Sequence, residues 1–155
     1  MEHTLITRKE GQTLALASFL ATFAYSSLVI TLKGPLGSGK TTFVKGFAKG
    51  LNITERVISP TFNILKCYFY EPLSLYHIDA YRLEDEFIEL GLEEYIEGDG
   101  VTLIEWPDYI KELIHTNHLS IEIEVLTPLS RQFTFKAYGE QANYLITKLQ
   151  GFKNV

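Results

Sequence analysis

The run Gly34-Pro35-Leu36-Gly37-Ser38-Gly39-Lys40-Thr41 matches G-x-x-x-x-G-K-[ST] in full and constrains this chain more than any other segment. The pattern carries meaning only between a strand and a helix. Leu28-Val29-Ile30-Thr31-Leu32, a β-branched apolar run of strand length, precedes it. Thr41 to Lys49 follows, with Phe43, Val44, Phe47 and Ala48 at helical spacing and Gly50 as a C-terminal stop. In such a turn the glycines let successive N–H groups point inward as an anion nest, and the free N–H groups of the next helix aim at the same place. A triphosphate fits there. Lys40 supplies a point charge toward the β and γ phosphates, and the Thr41 hydroxyl is one ligand of a magnesium ion (Mg2+) bridging them. Gly37, Ser38, Gly39 and Thr42 complete the expected binding loop.

The order of elements around this loop predicts an α/β fold: a P-loop NTPase-like three-layer arrangement with a mixed parallel and antiparallel central sheet. Upstream, Gly11 to Leu32 carries no charge and follows Arg8 and Lys9, which loosely imitates a signal peptide or membrane span. Six Ser and Thr residues interrupt it, and Tyr25-Ser26-Ser27 divides it into a helix-like and a strand-like half, so no membrane segment is expected. Thr7-Arg8-Lys9-Glu10 has capping-box spacing and predicts a helix start. Downstream, Asn63 to Tyr70 and Leu75 to Asp79 read as a hairpin across Glu71-Pro72-Leu73-Ser74. Residues 84–97 read as an acidic helical region, Gly98-Asp99-Gly100 as a turn and Val101 to Glu105 as a continuous apolar strand stopped by Pro107. Leu119 to Val125 and Phe133 to Ala137 alternate as half-exposed antiparallel strands, and a helix from about Glu140 to Leu149 ends the pattern.

Composition narrows the function. The 155 residues fit one domain, 1–155, and 46% hydrophobic content is ample for a core, which excludes disorder as the main state. A net charge of −5 repels phosphodiester backbones, so a stand-alone nucleic-acid binder is not expected. The single cysteine, Cys67, can form neither an internal disulfide nor a zinc site alone, which fits the cytoplasm.

A P-loop NTPase also needs a carboxylate at the end of a neighbouring strand for the metal and a group that positions water. Asp79 and Glu105 each end an apolar strand; their division of labour stays open, as does the simpler use of each as a turn or helix cap. Ser59-Pro60-Thr61 lies where a nucleotide sensor would sit, and Thr61 reads equally as a magnesium-directed hydroxyl or as part of an ordinary proline turn. Arginines are few: Arg8, Arg56, Arg82 and Arg131. That argues against a small-molecule kinase, the alternative P-loop reading, which needs several cationic clamps. No N-K-x-D guanine-reading motif occurs.

The phosphate loop, Ser59-Pro60-Thr61, His77-Ile78-Asp79-Ala80-Tyr81-Arg82, Leu90-Gly91-Leu92 and Glu105-Trp106-Pro107, in this order and in so short a chain, resemble the TsaE family of small bacterial ATPases. These ATPases serve threonylcarbamoyladenosine (t6A) modification of tRNA. The resemblance implies a cytoplasmic, magnesium-dependent ATPase acting with TsaB and TsaD, with tRNA met only through the complex and slow hydrolysis without partners. It implies Lys40, Asp79 and Glu105 as catalytic residues, Thr41, Asp79 and Glu105 at the metal, Thr61 as a switch residue and Trp106 beside the site. Gly11 and Arg131 are the implied N- and C-terminal contacts to ATP. The chain departs from the family at Pro35, where an acidic residue is usual, and at Ser38, where alanine is usual.

Other signals have plainer readings. The carboxylates of residues 84–97 suit a solvated face or a docking surface for a basic partner. His115 and His118 lack neighbours for a metal site. His77 shares a strand face with Asp79, and its simplest use is a hydrogen bond to nearby backbone. Trp106 fits a core position as well as a site position.

Overall fold

In the computed structural model, which describes residues 1–60, 63–83 and 91–153, the strands join in one seven-stranded sheet. The strands are β1 (Glu2–Thr7), β2 (Val29–Lys33), β3 (Leu65–Tyr68), β4 (Leu75–Asp79), β5 (Val101–Glu105), β6 (His118–Val125) and β7 (Arg131–Tyr138). The helices are α1 (Glu10–Ala21), α2 (Lys40–Gly50), α3 (Leu92–Ile96) and α4 (Glu140–Leu149). Across the sheet the order is β1-β7-β6-β2-β5-β4-β3. β2 runs parallel to both β5 and β6, and β4 runs parallel to β5, so β6, β2, β5 and β4 form a parallel centre. β7 and β1 continue the sheet antiparallel on one side and β3 on the other. This is the mixed α/β sheet expected.

Side-chain alternation sorts the core into two layers. Leu28, Ile30 and Leu32, with Val101 and Leu103 of β5, face α1, α2 and α4. Val29, Ile78 and Ile104 face the opposite way, onto α3 and the 3-10 segment Pro107–Leu113. The central strands are thus covered on both faces, which is why they read as continuous apolar runs. Each fully buried Leu, Ile or Phe contributes about 1.5–3 kcal/mol. The parallel strands all end at one edge, so the phosphate loop after β2 and the carboxylates ending β4 and β5 meet there.

The start of α1 corrects the capping-box expectation. Thr7 is the last residue of β1, and its hydroxyl pairs with that of Thr13 at 2.9 Å in a buried contact. The helix begins at Glu10 after Lys9, and the Arg8 N–H donates to Gln12 Oε1 at 2.7 Å instead. β1 itself adds a strand the sequence did not announce: its mostly exposed, polar alternation carries little hydrophobic signal, and pairing with β7 defines it. The hairpin is shorter than expected, with β3 confined to Leu65–Tyr68. Of the acidic region, residues 84–90 lie outside the described residues, and Leu92–Ile96 is helical. Among the described residues no helix is long and apolar enough to cross a membrane.

α2 is held by close contact with α1. A Cβ at Gly46 would stand 2.6 Å from the Leu14 carbonyl oxygen and 2.9 Å from Leu14 Cα. Glycine here is a condition of the helices' approach. Gly46→Ala should therefore lower stability by about 1–3 kcal/mol, although alanine alone favours a helix by about 1 kcal/mol over glycine. A urea melt checks this, and an unchanged or raised midpoint would contradict the packing.

Candidate functional site

The phosphate loop turns on Gly37 and Gly39, whose φ angles of 78° and 104° lie in the left-handed region open to glycine. Among the described residues a Cβ on either would meet nothing within 4 Å, whereas one on Gly34 would stand 2.6 Å from Ser38 Oγ and 2.9 Å from the Ile123 carbonyl oxygen. Gly39 leads into α2, which starts at Lys40. Beside it lies a cleft of about 590 Å³ lined by Gly37, Gly39, Lys40, Thr41, Thr42, Asp79, Glu105 and Trp106 among others. These are residues the sequence singled out separately, gathered here by three strand ends. Leu36, Ser59, Tyr81 and Arg82 also line it. Ser59 and Arg82 belong to short motifs quoted above, whereas Leu36, 75% exposed at the loop tip, carried no chemical signal. Thr61 lies outside the described residues.

Lys40 is the buried cation of the site, 6% exposed. Its ammonium donates to the carbonyl oxygens of Gly34 and, at 3.2 Å, Pro35. It also sits 4.0 Å from the centroid of the Trp106 ring, a cation–π distance. Burial draws its pKa down, while the charges of Glu105 and Asp79 oppose the change. Trp106 follows β5 with φ 57° and ψ 53°, a left-handed conformation costing roughly 1–2 kcal/mol for a bulky residue. That turn sets its ring against Lys40 and against Tyr81, whose centroid is 5.0 Å away. The tryptophan is thus a wall of the site.

The register pairs Asp79 with Glu105 on adjacent parallel strands, so both carboxylates stand on one face at one edge. Asp79 Oδ1 accepts the Tyr81 N–H at 3.1 Å. Burial raises its pKa and the Glu105 charge adds to the rise, while the Tyr81 N–H opposes it. Glu105 is 4% exposed, and its Oε2 lies 2.6 Å from Nε2 of the fully buried His77. His77 therefore bonds to a side chain and not, as expected, to backbone. Its Nδ1 is buried without a partner among the described residues.

A second cleft of about 270 Å³ opens on the other side of the loop, lined by Glu10, Thr13, Gly37, Ser38, Gly39, Thr42, Pro128, Leu129 and Arg131. Gly11 is not among its walls but lies in α1 between Glu10 and Thr13, with open space where a Cβ would be. Arg131 turns to the loop's backbone: Nε donates to Ser38 O at 2.8 Å and an η nitrogen to Gly37 O at 3.2 Å. The other η nitrogen donates to Thr127, Pro128 and Ser130 carbonyls, tying the β6–β7 connection to the phosphate loop. The two histidines set aside above are occupied elsewhere: His115 pairs with Glu97 at 3.3 Å, and His118 Nδ1 lies 2.7 Å from His115 O.

These residues fit a magnesium nucleotide. The cradle offers N–H groups, Lys40 a positive charge and Thr41 a hydroxyl, with two carboxylates opposite. Among the described residues no cluster of three or more His, Cys, Asp or Glu side chains could hold a metal alone. Magnesium suits such a place, because it takes one or two protein ligands and completes its octahedron with phosphate oxygens and water.

Residues 7–133 match the family model for threonylcarbamoyl adenosine biosynthesis protein TsaE. The chain belongs to the TsaE family. The Bacillus subtilis tRNA threonylcarbamoyladenosine biosynthesis protein TsaE is 46% identical over 144 residues, covering 93% of this chain and 91% of that one. The Treponema pallidum TsaE is 41% identical over 108 residues, covering 68% of this chain and 79% of that one. The crystal structure of Bacillus subtilis YdiB superposes with a TM-score of 0.85 at 40% identity, covering 97% of this chain and 95% of that one. In this TsaE-family chain the loop position Ser38 is fully buried, and its hydroxyl has no hydrogen-bond partner among the described residues. Pro35 keeps its carbonyl in use, accepting from both Lys40 Nζ and the Ser38 N–H.

The raised pKa of Asp79 has a thermodynamic sign. Its carboxyl ionises less readily in the fold than in the unfolded chain, so the ionised form opposes folding. The penalty is absent below the ordinary value of 3.8, grows as pH rises through the raised folded value and is full at neutral pH. Asp79→Asn, which retains an acceptor for the Tyr81 N–H, should raise the melting temperature at pH 7 by about 1–3 °C, the gain vanishing on acidification. A lower melting temperature at pH 7, or a gain indifferent to pH, would refute this account of Asp79.

Proposed function

We propose that this chain is a magnesium-dependent, ATP-hydrolysing subunit of t6A synthesis on tRNA, working in the cytoplasm with TsaB and TsaD. The observation that carries the reading is that Lys40 and Thr41 line one cleft with Asp79 and Glu105. Membership of a family described by threonylcarbamoyl adenosine biosynthesis supports the pathway. The net charge of −5 supports contact with tRNA through partners and not directly.

In the proposed reaction a water oxygen bonds to the γ-phosphorus of ATP as the bond to the β–γ bridging oxygen breaks. ADP and inorganic phosphate result, and the water's proton passes to solvent. Lys40 leaves the Gly34 and Pro35 carbonyls for the β and γ phosphates, and the N–H groups of Gly37 to Thr42 hold the phosphate chain. When bound, magnesium supplies neutralisation of the phosphate charge. Thr41 and the two carboxylates serve the metal and the attacking water. The second cleft, with Glu10, Thr13, Leu129 and Arg131, flanks the loop where the nucleoside end of ATP extends, and Gly11 leaves α1 open on that side. A small-molecule kinase is not favoured: the family match points elsewhere, and Arg131 already braces the loop.

ATP hydrolysis measured with and without TsaB and TsaD tests the reading. Slow turnover alone and faster turnover with both partners is the expected result. Lys40→Ala should weaken nucleotide affinity at least about tenfold, and Glu105→Ala should cut turnover by about a hundredfold with the fold intact. No hydrolysis under either condition, or wild-type turnover in both variants, would end it.

A further inference from the structure

Resting on that ATPase reading, we propose that His77 is a positioning residue that fixes the carboxylate of Glu105 through its Nε2–H. The tautomer follows from the surroundings. Nε2 faces a carboxylate oxygen at 2.6 Å, while Nδ1 has no hydrogen-bond partner among the described residues. A proton on Nδ1 would leave a buried donor unpaired, whereas a proton on Nε2 is donated to Glu105 Oε2. His77 is therefore the donor, and Glu105 Oε1 is the oxygen left for the cleft that Glu105 lines.

The placement argues for a task beyond filling space. His77 is fully buried on a strand face that carries Leu75, Val101 and Leu103 and ends in Asp79 and Glu105. A hydrocarbon there would relieve the unpaired Nδ1 but strip the buried Glu105 carboxylate of its donor, so the ring does more than fill space. What it provides is a hydrogen bond to the Glu105 side chain. A carboxylate at a strand end has rotamer freedom; tied at Oε2, it presents a single oxygen in a fixed direction, as second-layer partners do for catalytic and metal-binding groups.

The test compares His77→Leu, which removes the donor, with His77→Gln, whose amide nitrogen can take the place of Nε2. In the presence of whichever partners wild-type turnover needs, His77→Leu should lower kcat about 10–100-fold. Its affinity for magnesium ATP, measured by calorimetry, should stay within about threefold, while its melting temperature falls because a buried carboxylate loses its donor, a fall that His77→Gln should largely reverse. His77→Gln should recover most of the lost turnover. Wild-type kcat in His77→Leu overturns the proposal, and so do equal losses of turnover and thermal stability in both variants, which mark a purely structural ring. Long-range proton–nitrogen NMR of the nucleotide-free protein reads the bond without any reaction. His77 should appear as the Nε2–H tautomer with ring shifts moved by Glu105→Gln, and an Nδ1–H tautomer overturns the proposal. If wild-type protein hydrolyses no ATP, the ATPase reading fails while the NMR result still decides whether His77 holds Glu105.

Discussion

The site is built around one positive charge taken out of water. Lys40, at the first turn of α2, is buried, and a buried ammonium needs partners on every side. Two loop carbonyls, the face of Trp106 and two nearby carboxylates supply them. The partners come from the ends of three strands, so the position of the charge depends on β2, β4 and β5 ending at one edge. The pairing of Asp79 with Glu105 and of Leu32 with Glu105 sets that edge. Rigidity comes from behind: α2 lies against α1 at Gly46, and the loop is tied to the β6–β7 connection by Arg131.

The carboxylates follow from the same layout. A parallel sheet buried on both faces leaves its strand ends as the places where polar groups can reach water without opening the core. Asp79 meets the cleft directly, whereas Glu105 lies deeper and leans on a histidine. Two carboxylates in one cleft thus differ in support, one backed by a backbone N–H and the other by a buried ring.

What was readable in the sequence was what is local. The phosphate loop, the strand before it and the helix after it lie within one stretch, and their signals are short-range: β-branched runs, glycines, helical spacing. The strands ending in Asp79 and Glu105 were readable as apolar runs for the same reason. The links between them were not. His77 and Glu105 are 28 positions apart and meet only through the register of β4 and β5, which no local pattern encodes. Arg131 lies 93 positions from Ser38, and its attachment to the loop's carbonyls depends on β6 and β7 folding alongside β2. At Thr7 a local signal misled, because pairing with β7 took that residue into a strand and left the helix to begin later.

The resting contacts of Lys40 also bear on discrimination. With its ammonium already engaged by Gly34, Pro35 and Trp106, the loop resembles a latch held shut by its own backbone. A lone sulfate or chloride offers little more than those contacts already do. A chain of adjoining phosphates, which can meet the amides and the ammonium together, offers considerably more. Under the proposed function, a loop so engaged favours a longer phosphate chain over a single small anion.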